Sequence, residues 1–426
     1  MSRSARYKIA CLGFLLAAPA VAGTTYWITT TGADHLLERG REALGQGNWN
    51  QANRCLELLD RRGYPDHAHL LRGESWLRKA RIDLQTDAAV EQPISAGQNS
   101  SQRALGELTQ IRAEGPLALE AAVLGAECLV RQGERRFAVQ VLDTVVARNP
   151  DHKEAHRWLA AIYIDLNSSS QAIDHLREWG RLDARNGRPY RWIGWFLSKD
   201  YGNSSGAIEA YREACRRDLE PDLRVEVIKE LAEALVNGPA DYQAALDTLD
   251  QCSETVAQPE ILTLRAQCLW SLARQSEALP VLDAALRAKP ELPQALQLRA
   301  KMFLSDGQPQ AAVPLLEAAL AIDVHDHISQ QLLMQTYKQL GDDVRSEHQR
   351  QLLEETRSYK DQLTKLHDRA LRHPWDAGVR HQLADLCLKL NRQAEAQMWR
   401  QAASACISNQ SSEAAFEQSF SPPGRN

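Results

Sequence analysis

Catalytic signatures are missing from this chain of 426 residues. It has no G-x-x-x-x-G-K-[ST] phosphate loop, no G-x-G-x-x-G or G-x-S-x-G after a strand pattern, and no H-E-x-x-H. Each of those motifs supplies a placed nucleophile, a metal or a phosphate cradle. Without them the single Ser, His and Asp residues have no arrangement around them, so no catalytic residue and no cofactor is expected. The eight cysteines never form a C-x-x-C pair, which removes the zinc-ribbon and dithiol signatures. Cys128, Cys215, Cys252, Cys268 and Cys387 fall on or beside apolar helix positions, where cysteine acts as a small hydrophobe. Buried free thiols are expected there, with a disulfide left open if the compartment is oxidising. An excess of one charge sign is also lacking. The formal charge is −5, with acids and bases mixed throughout, so nucleic acid is not expected as a partner. Glycine and proline are sparse and fall at intervals, and Ala, Leu, Gln, Glu and Arg fill the spaces between them. That composition favours helix.

The clearest stretch runs from Arg191 to Ala214 and reads as helix, polar turn, helix. Ile193-Gly194 with Leu197 sets a small residue one turn from an apolar one. Ala207, Tyr211 and Ala214 recur on one face of the second helix. A small residue on each helix lets the two backbones approach closely, and neither helix can bury its stripe alone. The same pattern repeats along the chain. Leu124-Gly125-x-x-Cys128 precedes Ala138 and Leu142. Leu159-Ala160-x-x-Tyr163 precedes Ala172 and Leu176. Leu333-Met334-x-x-Tyr337 precedes Gly341. Ala138 to Ala172 and Ala278 to Ala312 are each 34 residues apart. A stretch at roughly 84–100, rich in Asp, Gln, Ser and Gly and carrying Pro93, reads as an insertion loop. Residues 343–372 contain no Gly or Pro and read as one long helix, either a dimerisation surface or an elongated arm packed within the chain. The array spans 33–407, and the polar tail 408–426 reads as disordered.

This spacing, with its L-G-x-x-Y and A-x-x-x-F patterns and its regular prolines, resembles the tetratricopeptide repeat. The resemblance covers about nine-tenths of the chain. It implies an all-α fold, a right-handed superhelical solenoid of about ten helical hairpins. The first helices would line a concave groove that binds peptides or other proteins. Some units depart from the pattern, and the turn residue is often not Gly.

The N-terminus adds an apolar segment, 1–32. Arg3, Arg6 and Lys8 precede a charge-free run from Ile9 to Ala33. A cleaved signal peptide fits the short apolar core and Ala20-Val-Ala22. A retained single-pass membrane helix over residues 9–29 fits the longer reach, with Tyr26 and Trp27 at the interface. Either way the repeats are carried to the extracytoplasmic side. The expected role is a membrane-anchored or exported scaffold. The alternative is an accessory subunit of an envelope enzyme, secretion or polysaccharide-export complex.

Two clusters are candidate sites. Asp323-Val-His325-Asp326-His327 has metal-ligating residue types, yet it falls at a turn where Asp326 would cap the next helix, so no metal is expected. Asp151 with Glu154 forms a capping-box pattern. On the fifth unit, Arg188, Arg191, Trp195 and Lys199 are spaced about a turn apart, with Arg157 and Lys229 on the neighbouring units. Guanidinium groups grip carboxylates and an indole face holds apolar or cationic groups. This patch is the candidate seat for an acidic or C-terminal segment of a partner protein. The plainer reading is a solvated helix face with Trp195 packed between units.

Overall fold

In a computed structural model, residues 32–87, 95–251 and 258–407 are described. The apolar N-terminal run and the tail after 407 lie outside them. Among the described residues the regular structure is helical throughout, apart from one isolated bridge between Asn186 and Asp218. The chain divides into two compact units, one up to Pro150 and one over Asp151–Ile407.

The first unit holds three hairpins: α1 (32–45) with α2 (Trp49–Arg61), α3 (Pro65–Asp87) with α4 (Ser95–Leu108), and α5 (Ala118–Arg131) with α6 (Arg135–Arg148). Its core gathers Leu37, Leu44, Leu59, Leu71, Leu108 and Cys128. Arg41 bridges hairpins by pairing with both Glu74 and Glu120. Helix occupies both ends of the stretch expected as an insertion loop. α3 runs to Asp87 and α4 begins at Ser95, so only 88–94 lies between them, outside the described residues.

The second unit holds seven hairpins. They pair α7 (Lys153–Asp165) with α8 (Ser169–Leu182), α9 (Arg188–Lys199) with α10 (Ser204–Cys215), and α11 (Pro221–Asn237) with α12 (Tyr242–Leu249). Next come α13 (Pro259–Ser271) with α14 (Gln275–Ala288) and α15 (Pro293–Ser305) with α16 (Pro309–Ile322). The last two are α17 (His327–Gln339) with α18 (Asp343–Arg372) and α19 (Ala377–Lys389) with α20 (Gln393–Ala405). The helices of the second hairpin meet through a small residue facing a large one. A Cβ on Gly194 of α9 would lie 2.7 Å from the Tyr211 ring of α10, and Tyr211 is buried. The turns use one recurring device, a residue with left-handed backbone. Gly202, Gly307 and Gly341 fill it, and so do Asn167, Ala240, Ala273 and Asn391. Side chains of Asn203, Asp241, Asp342 and Asp376 then cap the helices that follow.

Several details differ from the expectations. The α7 cap is His152, whose Nδ1 accepts from Ala155 N–H. Asp151 instead pairs with Arg181 and Glu154 with Arg157, so the capping box does not form. Cys55, Cys128, Cys268 and Cys387 are buried free thiols, and Cys215 and Cys406 are half-buried. Cys252 lies outside the described residues. The buried positions of α18, namely Leu353, Thr356 and Ala370, face the chain's own hairpins, which is the elongated-arm arrangement. No helix among the described residues is long and apolar enough to cross a membrane.

The second unit returns on itself. Arg380 of α19 reaches the turn between α7 and α8. The seventh hairpin thereby touches the first.

Candidate functional site

The first helices of three consecutive hairpins, α7, α9 and α11, line a cleft of about 550 Å³. Its apolar lining is Ala161 and Ile164 of α7, Trp179 of α8, Trp192 of α9 and Leu223 of α11. Trp179 and Trp192 pack partly into the core beneath, which fixes the indoles while leaving a face toward the cleft. The polar lining sets three arginines, Arg157, Arg188 and Arg191, against three carboxylates, Glu220, Asp222 and Glu226.

Those charges are paired. Arg188 holds Glu220 with two bonds, Nη2 to Oε1 at 2.5 Å and Nε to Oε2 at 3.3 Å. Arg191 Nη2 lies 2.7 Å from Glu226 and 3.0 Å from Glu230. Arg157 Nε donates to Glu154 at 2.7 Å, and its guanidinium lies 5.1 Å from the centre of the Trp158 ring. Glu220 is held below the usual carboxylate range by a bond to its own backbone amide and by Arg188. The Arg191 pKa rises although burial opposes it, because Glu230 and Glu226 surround the cation. A carboxylate arriving from a partner must therefore share or displace an existing pair. The Arg191 guanidinium also stands 5.9 Å from the centre of the Trp192 ring, a looser contact than the ion pairs, and the cleft is better suited to an apolar or aromatic anchor side chain with a mixed-charge rim.

Of the residues singled out in the sequence, Arg157, Arg188 and Arg191 come together in this cleft. Trp195 does not line it. It packs edge-on against Trp192 and Phe196, with ring centres 6.0 and 5.2 Å apart. Lys199 is exposed at the far end of α9. Lys229 is half-buried on α11, close enough to Glu260 of the next hairpin to help lower its pKa, behind Lys289. The residues missed were Trp179, Trp192 and the acids of α11. The Arg191-Trp192 step was visible, but it is tertiary packing that turns Trp192 rather than Trp195 to the cleft.

The Asp323–His327 cluster is engaged in structure. Asp326 accepts from Ile328 N–H and Ser329 N–H and from the Gln297 amide. Asp323 accepts from His325 N–H, His325 Nδ1 contacts Thr356 Oγ1 at 2.9 Å, and His327 Nδ1 contacts Lys360 Nζ at 2.7 Å. No group of three or more His, Cys, Asp or Glu able to hold a metal ion occurs among the described residues.

Helical hairpins stacked within each unit, three of which present their first helices to one cleft in the second unit, define an all-α hairpin-repeat fold. The tetratricopeptide repeat model matches residues 37–91, 129–186 and 263–326, so the chain carries tetratricopeptide repeats over those stretches. It is similar in fold to human IFIT1, at 15% identity over 87% of this chain and 94% of that one, with TM-score 0.37. It is also similar to a tetratricopeptide repeat protein of Parabacteroides merdae, at 13% identity over 62% and 98% of the two chains, with TM-score 0.39. A third is pilF of Pseudomonas aeruginosa, at 17% identity over 50% and 95%, with TM-score 0.38. No curated protein matches the chain.

Proposed function

We propose that this protein is a non-catalytic scaffold whose second unit captures a segment of a partner protein in the cleft between α7, α9 and α11. The observation that carries this reading is the pair of half-buried indoles, Trp179 and Trp192, in a cleft formed by consecutive first helices. A partner side chain placed between them gains area burial without breaking an ion pair, whereas the arginine–glutamate pairs around it set orientation at the rim. The N-terminal apolar run supports a second part of the proposal. The repeats act on the extracytoplasmic side of a membrane, either anchored through residues 9–29 or released after signal cleavage. Complex assembly or recruitment at an envelope is the role that follows.

The test of the cleft is affinity capture with the full chain and with Trp192→Ala. Partners retained by the native chain and lost by at least tenfold in W192A support it. Equal retention by W192A and a Trp179→Ala/Trp192→Ala double variant, both with native helical content, refutes it. Protease protection in intact cells, with N-terminal sequencing of the mature chain, tests the topology. Cleavage of the repeats from the cytoplasmic side refutes it.

A further inference from the structure

The seventh hairpin of the second unit is attached differently from the six before it. From Pro259 to Pro293 and from Pro293 to His327 the first helices start 34 residues apart, but from His327 to Ala377 the step is 50. The extra length lies in α18, which runs for 30 residues. At 1.5 Å per residue, the added residues lengthen the helix by roughly 24 Å, and the last hairpin is carried to the turn between α7 and α8.

A buried cation stands at the seam formed there. Arg380 is fully buried. Its guanidinium donates to the Leu166 carbonyl at 2.7 and 3.1 Å and to Ser168 Oγ at 3.1 Å, 214 and 212 residues away in the chain. It also bonds the carbonyls of His373 and Asp376 in its own hairpin. Leu166 ends α7, so the cation sits at the negative end of that helix. Among the described residues no carboxylate forms an ion pair with it. Beside it His367 Nε2 of α18 stands 3.7 Å from Asp200 Oδ2 at the end of α9. That is beyond hydrogen-bond reach, and both atoms are shielded and unbonded among the described residues. Val379, Leu383, Cys387 and Trp399 pack with Leu363 and Leu366 of α18, whereas Ala160, Leu176, Ile193 and Phe196 form a separate cluster in the first two hairpins. The core of the preceding hairpin, around Leu316, Leu333 and Tyr337, is separate again. Between Thr356 and Leu363, α18 buries no residue fully.

We propose that the seventh hairpin is a latch. It swings as a body on the middle of α18 and opens the seam between Arg380 and the α7–α8 turn while every hairpin stays folded. The hydrogen bonds of one guanidinium tie the closed state together across the seam, and opening returns those polar groups to water, which can satisfy them. Hydrogen exchange on the full chain tests this, with the native protein compared to Arg380→Met, which keeps the apolar stem and removes the guanidinium. Exchange should rise at least tenfold, the scale of a single lost charge-assisted hydrogen bond where three cross the seam, in segments 163–170 and 373–383. α13 to α16 should be unchanged, as should helical content. A rise spread evenly over the second unit, or no rise at the seam, overturns the proposal. If R380M does not fold, the native chain in low urea decides. The two seam segments must exchange through an opening with weaker urea dependence than α13 to α16, and a single shared dependence overturns the latch.

Discussion

Acidification should weaken the second unit through one imidazole. His175 of α8 lies with its Nδ1 3.1 Å from His156 Nδ1 of α7, and its ring stacks on Tyr163 with centres 5.8 Å apart. Burial first, and then His156, pushes the His175 pKa from 6.5 down to about 4. The folded chain therefore binds this proton more weakly than the unfolded chain does. Above pH 6.5 neither state carries it, and the full stability is present. As pH falls below 6.5 the unfolded state takes it up first, so stability declines until about pH 4 and then levels. At 1.36 kcal/mol per pH unit this separation sets a ceiling of about 3 kcal/mol. The ring retains some solvent contact, and screening lowers the expectation to about 2 kcal/mol. The assay is urea unfolding at pH 7.0, 5.5 and 4.5 for the native chain and for His175→Phe, which keeps the stack on Tyr163 but cannot titrate. Acid effects from other groups are common to both chains and cancel in the difference. The native chain should lose about 2 kcal/mol more than H175F between pH 7.0 and 4.5. Parallel profiles would refute the assignment of a neutral, proton-resisting His175.

Three further outcomes follow from packing. Gly194→Ala puts a methyl group 2.7 Å from the Tyr211 ring, and this overpacking should cost about 1–3 kcal/mol in denaturant unfolding. Ala240 and Ala273 hold left-handed backbone, with φ of 55° and 59°. Glycine relieves that strain, so A240G and A273G should each stabilise by up to about 1 kcal/mol despite glycine's greater unfolded-state entropy. Burial pushes the Cys268 and Cys387 thiols up to about 11. At pH 8 a thiol reagent should reach these two only after denaturation.

What the sequence revealed was local and periodic. The Gly194–Tyr211 contact follows from residues on two adjacent helices, and the 34-residue step follows from hairpins of constant length. Ion pairing did not show. Arg188 and Arg191 find Glu220, Glu226 and Glu230 on the next first helix, 32 to 39 residues on in the hydrogen-bonded cases, and only the stacking rotation decides which acid meets which base. The choice of Trp192 over Trp195 for the cleft depends on the same rotation, since both indoles lie on one short helix. The missing capping box has a related cause. Asp151 was drawn to Arg181 on α8, leaving the cap to His152. The return of the seventh hairpin was least visible of all. It needs the rotation accumulated over seven hairpins plus the added length of α18, and Arg380 carries no local sign that its partner is a carbonyl 214 residues away.

The cleft and the latch share α7. Ile164 lines the cleft, and Leu166, two residues later, supplies the carbonyl that holds Arg380. The last turn of one helix thus serves both sites. A partner seated against Ile164 prefers one arrangement of that turn, and the guanidinium at its carbonyl end biases the same arrangement. By linkage the two effects are reciprocal: the factor by which partner binding changes latch opening equals the factor by which opening changes partner affinity. The expected outcome is that R380M shifts partner affinity, and that the partner in turn slows or speeds exchange at 163–170 in the native chain by a matching factor. W192A should lose the partner yet leave seam exchange in the free chain untouched, because Trp192 has no contact with the seam. An R380M chain that exchanges faster at the seam but binds its partner with native affinity would show that α7 passes nothing between them, and the latch would then stand apart from recognition.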